Sequence, residues 1–226
     1  MRCNRQAKVP TLTDRRTFSH TLIDLSHTVE HGLVTYKGLP APIICDYLSR
    51  EASRKYYANT GTYLDSPFHR YADGKDLSDL ELQKLANLPA IKVPAQHQQA
   101  IDILCFPSAQ DLAGKAVLVE TGWSRHWKTD QYFEGHPFLT EDAARFLADS
   151  GAVLVGIDSH NIDDVQDLRR PVHSILLKKE IPIVEHMTNL AAVLAADFRL
   201  YLFSGRSSCL ALAECVSTPC CAKDTL

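Results

Sequence analysis

Two similar stretches decide the fold: Ala116–Thr121 (AVLVET) and Ala152–Ile157 (AVLVGI). Each is a short, Val-rich apolar run, which is typical of a strand buried on both faces. Thr140–Ser150 lies between them, with Thr140 at the N-cap position and two acids in the first turn. An apolar stripe follows within this segment, and Gly151 ends it. The order strand, helix, strand predicts a crossover unit of an α/β fold.

The rest of the chain adds strands and one more helix. The second helix is predicted at Val172–Lys179, because Pro171 suits the first helical position. Further strands are predicted, in chain order, at Thr21–Ser26, Ile43–Leu48, Ile181–Glu185 and Phe198–Phe203. Strands outnumber long helices, so we expect a mixed sheet with a few packed helices.

Composition excludes several classes of protein. The 226 residues are 45% hydrophobic and 23% charged, which is ordinary for a globular chain. A net charge of −3 gives no basic surface for nucleic acid. No apolar run approaches the roughly 20 residues of a membrane-spanning helix. We therefore expect neither nucleic acid nor a membrane as a partner.

Both ends of the chain differ from its middle. The first eighteen residues carry five basic residues and one acid, without the apolar stretch of a secretory signal. We expect residues 1–20 to be a disordered tail, with an organelle transit peptide as the alternative, and a cytoplasmic location by default. Residues 205–226 contain four of the seven cysteines, but no C-x-x-C pair indicates a zinc or redox site. They are expected to form a divergent Cys-rich segment after a domain at residues 21–204.

The densest cluster of chemically capable residues is Asn59–His69 (NTGTYLDSPFH). Gly61 permits backbone conformations that other residues resist, and Pro67 fixes its own φ, so a strand should run into a rigid turn. On that turn, Asp65 could bind a cation or orient an imidazole, and His69 could move protons near neutral pH. The alternative is that Asp65 caps the turn and His69 is an ordinary surface histidine.

This segment resembles the signature of the cyclase-family metal hydrolases, which include bacterial kynurenine formamidase and isatin hydrolase. That signature is His-x-Gly-Thr-His-x-Asp-x-Pro-x-His, and the chain matches five of its seven fixed positions. Further blocks that resemble the family occur in the family's order at Ile23–His27, Glu120–Trp123, Gly135–Thr140 and Val155–Ser159. The resemblance covers about residues 21–204. It implies a swivelling β/β/α fold and assembly as a homodimer or homotetramer.

The resemblance also assigns roles to residues. It implies that Asp65, His173 and Glu185 bind a divalent metal and that His69 transfers a proton. His173 and Glu185 stand twelve residues apart, as in the family. From the sequence alone, His173 would lie in the first turn of a helix and Glu185 at the end of a strand, where sheet proteins place site residues. Without the resemblance, both could equally be ordinary polar residues. Tyr36 lies near the position of a family aromatic that lines the substrate pocket.

The chain departs from the signature at two positions, where Asn59 and Tyr63 replace histidine ligands. An amide oxygen is a weak ligand, and a phenol binds a metal well only after losing its proton. The replacements suggest a variant subgroup and argue against kynurenine formamidase activity itself. The remaining set, Asp65, His173 and Glu185, leans toward a hard ion. We expect one divalent ion, Mn²⁺, Zn²⁺ or Mg²⁺, or none.

Three hypotheses follow. The first is a metal-dependent hydrolase of a small amide, imide or lactone, an amidohydrolase in which His69 moves the proton and Tyr63 stabilises the oxyanion. The second is a metal-independent hydrolase, dehydratase or cyclase, in which Asp65 orients His69 while Asn59 and Tyr63 bind the substrate by hydrogen bonds. The third is a small-molecule-binding protein that has lost catalysis.

Overall fold

The computed structural model describes residues 20–27, 32–34, 37, 61–205 and 208–216. The predicted strand Ile43–Leu48, together with Tyr36 and Asn59, lies outside these residues. The described strands are β1 (His20–Asp24), β2 (Tyr63–Asp65), β3 (Leu88–Pro94), β4 (Ala100–Ile101), β5 (Ala116–Glu120), β6 (Phe138–Leu139), β7 (Leu154–Ile157), β8 (Ile183–Glu185), β9 (Phe198–Gly205) and β10 (Ser208–Val216).

Three α-helices occur in the described part: α1 (Ala109–Leu112), α2 (Glu141–Asp149) and α3 (Pro171–Lys178). Short 3-10 helices connect the strands at Pro67–His69, Leu77–Asp79, Leu82–Lys84, Ile103–Cys105, Trp123–His126, Asp130–Phe133 and Leu190–Ala192. Helix α2 begins as predicted, because the Thr140 side chain accepts a hydrogen bond from the Ala143 N–H at 3.1 Å.

One mixed sheet of eight strands organises the described molecule. Its order is β1, β10, β9, β3, β5, β7, β8, β2, and a separate parallel pair joins β4 to β6. Neighbours from β3 to β8 run parallel, while β1, β10, β9 and β2 are antiparallel to theirs. The predicted α/β class and mixed sheet are confirmed. Strand β10 lies in the Cys-rich segment, for which no strand was predicted.

The two faces of the sheet form two separate cores, because successive residues of a strand point to opposite faces. In β5, Val117 and Val119 pack on the face covered by α2 and α3. Leu118, between them, packs on the other face with residues of β1 and β9, such as Leu200. Gly156 of β7 also faces this second core, where an added Cβ would lie 2.6 Å from the sulfur of Met187. The helix-covered face is the one that carries the polar site.

Candidate active site

Strands β2 and β8 place three polar side chains on the helix-covered face. They are antiparallel, with Tyr63 opposite Glu185 and Asp65 opposite Ile183. Directly paired residues share a face, and Ile183 packs in the core under α3. Tyr63, Asp65 and Glu185 therefore point toward the helix that carries His173. The sequence predicted all of these residues, and the strand register brings them together.

The chain around β2 is anchored on both sides of the strand. Gly61 has a φ of +70°, which other residues rarely adopt. The Thr62 hydroxyl donates to the His186 carbonyl at 2.7 Å and accepts from the His27 N–H at 2.9 Å. Beyond the strand, Pro67 opens the predicted rigid turn, and Gly74 packs so closely on it that a Cβ would lie 2.7 Å from the Pro67 carbonyl carbon. These contacts fix where Asp65 and His69 stand.

Asp65 and His69 form a contact pair. Nδ1 of His69 lies 3.1 Å from Oδ1 of Asp65, and the His69 side chain keeps 32% of its exposure while that of Asp65 keeps 7%. Burial lowers the pKa of His69, although Asp65 opposes the shift. A neutral imidazole whose Nδ1–H is bound by a carboxylate presents the lone pair of Nε2 outward. The pair has the form of an oriented general base.

A second carboxylate, that of Asp163, binds the ring of His173. Its Nδ1 lies 2.6 Å from Oδ2 of Asp163, whose oxygens also accept the N–H groups of Val172 and His173. Asp163 therefore closes the first turn of α3 and fixes the orientation of the ring. The other ring nitrogen, Nε2, lies 3.4 Å from Oδ2 of Asp65 and 3.6 Å from Oε1 of Glu185.

Glu185 is fully buried, and donors hold both of its oxygens. The Ile162 N–H donates to Oε1 at 2.7 Å, and the Tyr63 hydroxyl donates to Oε2. Burial raises the pKa of Glu185, while His173 opposes the shift. Tyr63 was predicted to stabilise an oxyanion, but its hydroxyl is directed at Glu185. In this arrangement the hydroxyl contacts a buried carboxylate.

The donor set fits a divalent cation. Ligand atoms of Asp65, His69 and His173 all lie within 4.8 Å of one another. Oδ2 of Asp65 is buried and accepts no hydrogen bond from any residue that the structure describes. Ligating histidines usually donate their second ring N–H to a carboxylate, as His173 does to Asp163. Carboxylate and imidazole ligands suit Zn²⁺ and Mn²⁺.

The charges around His173 also favour a bound cation. Burial alone would lower the pKa of His173, but the carboxylates of Glu185, Asp163 and Asp65 raise it to about 9. The lone pair of a neutral Nε2 would face two carboxylate oxygens, which repel it. Either a proton or a metal ion between these atoms removes the repulsion. The centre is therefore built to hold positive charge.

Sequence reasoning missed Asp163 as a site residue. It follows β7 by six residues, on a loop at the carboxyl end of a parallel strand, which is the usual place for site residues in such sheets. That position was the available signal. The second missed residue, His186, comes directly after Glu185 and is fully buried.

His186 belongs to a cluster of aromatic and imidazole rings beside the centre. Its Nδ1 lies 3.0 Å from the Tyr132 hydroxyl, and its ring centroid lies 5.1 Å from that of Tyr63. His160 packs edge-on against His186 at 5.6 Å, and His136 against His160 at 5.2 Å. Burial is the largest cause that lowers the pKa of each histidine, to about 3 for His160. The lowered pKa values favour the neutral form of these rings, which pack beside Tyr63.

Comparison with known proteins establishes the family. The family model described as "Putative cyclase" matches residues 23–164. Kynurenine formamidase of Bacillus cereus is 32% identical over 185 residues, 79% of this chain and 87% of its own length. Kynurenine formamidase of Bacillus anthracis is 28% identical over 186 residues, again 79% and 87%. The chain belongs to the cyclase family.

Solved structures agree with the fold. A structure described as a potential metal-dependent hydrolase with cyclase activity aligns with a TM-score of 0.70 at 22% identity, over 88% of this chain and 100% of the other. An isatin hydrolase bound to the product analogue thioisatinate aligns with a TM-score of 0.68 at 18% identity, over 88% of this chain and 93% of the other.

The described helices include none that is long and apolar enough to cross a membrane.

Proposed function

We propose that this cyclase-family protein is a metal-dependent hydrolase of a small amide, imide or lactone. One observation carries the proposal: Asp163 fixes the His173 ring so that Nε2 faces Oδ2 of Asp65 and Oε1 of Glu185. Asp65, His173 and Glu185 would hold the metal, as the sequence predicted. The names of the relatives support this class of reaction, since a formamidase cleaves the C–N bond of a formamide.

When bound, a divalent cation would polarise the substrate carbonyl and lower the pKa of a water molecule. The residues of the chain perform the other steps. His69 takes the proton from the attacking water at Nε2, because Asp65 binds its Nδ1. The protonated ring then gives this proton to the leaving nitrogen or oxygen. Tyr63 and the Ile162 N–H hold the Glu185 carboxylate in place throughout.

The Asp65–His69 contact favours a second candidate, an acid–base enzyme without metal. In that case His173 is protonated below a pH of about 9 and supplies the positive charge of the centre. The same His69 chemistry would then serve hydrolysis, dehydration or cyclisation. Binding without catalysis is the third candidate, and the oriented His69 argues against it.

Metal content separates these candidates. Purified protein is analysed by elemental mass spectrometry and assayed on a panel of formamides, imides and lactones, with and without a chelator. The proposal requires about one ion per chain and activity that the chelator abolishes and Mn²⁺ or Zn²⁺ restores. Asp65→Asn should lose the ion, whereas the exposed Asp149→Asn should keep it. Full activity in metal-free protein would establish the second candidate.

The predicted homodimer or homotetramer remains a proposal. Several large apolar side chains are exposed on the described surface, among them Leu104 and Leu168, at 95% and 89% exposure. Such side chains indicate an assembly only where they form a contiguous patch, so the proposal rests on the family resemblance. Light scattering coupled to size-exclusion chromatography measures the oligomeric state directly, and a monomer at micromolar concentration contradicts the proposal.

A further inference from the structure

The guanidinium of Arg170 lies at the edge of the candidate metal centre. Its Nη2 is 3.3 Å from Nε2 of His173 and 3.5 Å from Nδ1 of the same ring. The side chain retains 29% of its exposure, so one end of the guanidinium faces solvent while the other touches the buried centre. The Arg170 side chain therefore lies close to the centre and is partly accessible to solvent.

The backbone of Arg170 is held in an unusual conformation. Its φ of 49° and ψ of 62° are left-handed, a conformation that residues other than glycine rarely adopt. Pro171 disfavours the right-handed helical region for the residue before it. The Arg170 N–H donates to the Asp167 carbonyl at 3.0 Å, and the Arg170 carbonyl accepts from the N–H and hydroxyl of Ser174 at 3.0 and 2.8 Å. The backbone of Arg170 is thus fixed in a rigid turn, which limits where its side chain can lie.

Arg170 has no acidic partner at hydrogen-bonding distance within the described ranges. The nearest carboxylate oxygen, Oδ2 of Asp163, lies 4.0 Å from its Nε. Asp163 is already occupied by the N–H groups of Val172 and His173 and by Nδ1 of the His173 ring. The preceding residue, Arg169, differs in this respect, because its guanidinium pairs with Asp167 at 2.7 Å. Among the described residues, Nη2 of Arg170 contacts the His173 ring, and the other N–H groups of the guanidinium have no acceptor at hydrogen-bonding distance.

We infer that Arg170 binds a carboxylate group of the substrate and makes the enzyme selective for anionic amides or lactones. This inference rests on the proposed function. A guanidinium offers two parallel N–H donors that match the two oxygens of a carboxylate. The rigid turn at Arg170 keeps these donors beside His173. The scissile carbonyl of a substrate bound by its carboxylate would then lie near Asp65 and His69. A neutral substrate of the same shape lacks this anchor.

The test compares two aryl formamides, 2-formamidobenzoate and formanilide, which differ by one carboxylate. The kcat/KM for formate release is measured for both with the metal-loaded wild type, Arg170→Gln, Arg170→Lys and Arg169→Gln. We expect Arg170→Gln to lower the anionic-to-neutral ratio roughly tenfold to a hundredfold, since hydrogen bonds to charged groups contribute about 1.5–3 kcal/mol. Arg170→Lys should recover part of the ratio, and Arg169→Gln should keep it. The ratio does not depend on the fraction of protein that is folded.

Each outcome supports or contradicts carboxylate binding by Arg170. An unchanged ratio in Arg170→Gln overturns the inference, and so does a wild type that shows no preference for the anion. Equal losses on both formamides would mean that Arg170 stabilises the reacting carbonyl instead, which also contradicts carboxylate recognition. If neither compound is hydrolysed, binding of the same pair is measured by calorimetry. Failure of 2-formamidobenzoate to bind more tightly than formanilide then overturns the inference, whereas loss of chelator sensitivity alone would count only against the proposed function.

Discussion

Tyr63 and Glu185 are direct partners across strands β2 and β8, and the Tyr63 hydroxyl donates a hydrogen bond to Oε2 of Glu185. In the family signature, the position of Tyr63 belongs to a histidine ligand. Here the phenol at this position contacts a carboxylate of the proposed metal centre.

Removing this hydroxyl should weaken both the fold and the centre. In Tyr63→Phe, a buried carboxylate oxygen loses its donor, and the free energy of unfolding should fall by about 1–3 kcal/mol. The affinity for Mn²⁺ or Zn²⁺ should fall as well, measured by calorimetry. Tyr71→Phe is the matched control, because the Tyr71 hydroxyl donates to the Ser174 carbonyl at 2.7 Å, away from Glu185. If both variants bind metal as the wild type does, Tyr63 does not position Glu185.

Asp163 should govern metal affinity without being a ligand. Asp163→Asn removes the charge behind Nδ1 of His173 while keeping the shape of the side chain. Losses of such supporting groups typically weaken metal binding by about 10- to 100-fold, and we expect a change in this range. The neighbouring Asp164→Asn serves as the control. Equal metal dissociation constants for wild type and Asp163→Asn would refute this role.

His69 should be needed for turnover but not for metal binding. In His69→Gln, loss of the proton carrier should reduce kcat by roughly 10²- to 10⁴-fold while the metal content stays near one ion per chain. Elemental analysis and steady-state kinetics on one preparation give both values. Because His69 also lies within 4.8 Å of the ligand atoms of Asp65 and His173, loss of the ion in this variant would make it a ligand instead.

Buried histidines should make the protein less stable in mild acid. Burial is the first cause that lowers the pKa of His160 to about 3 and of His27 to about 4, against 6.5 for a free side chain. Below pH 6.5 the unfolded chain takes up protons that the folded chain excludes, so stability falls until the folded pKa is reached. Each excluded proton contributes at most about 1.4 kcal/mol per pH unit.

Urea unfolding at pH 7.5 and 5.0, with chelator present, measures this effect. The loss between the two pH values should be smaller in His160→Phe, which keeps an aromatic ring but cannot be protonated. His97→Asn, at an exposed position where asparagine tolerates the φ of 72°, should lose as much as the wild type. If His160→Phe lost as much stability between the two pH values as the wild type does, the His160 ring would titrate freely in the folded wild type.

The sequence allowed much of the sheet to be predicted. Local signals were sufficient for β5, β7, α2 and α3, because apolar runs, an N-cap and Pro171 mark their bounds. Strand β10 was not predicted; it pairs with β9, the strand directly before it, and also with β1, whose residues lie near the other end of the sequence. For the site, the residue types came from the signature. That Tyr63 faces Glu185, and that Asp163 stands behind His173, depends on strand register and loop path, which one sequence does not display.

The position of β2 has a consequence for how the centre comes into being. This three-residue strand lies at the end of the sheet order and pairs only with β8 in the described part. Its partner residues are more than a hundred positions away along the chain, so closing this pair carries a large loop entropy. The strand should therefore join late in folding and exchange its amide hydrogens earliest. A bound ion or substrate would then stabilise the pairing of β2 with β8. Slower amide exchange at Tyr63–Asp65 would therefore show that the site is occupied.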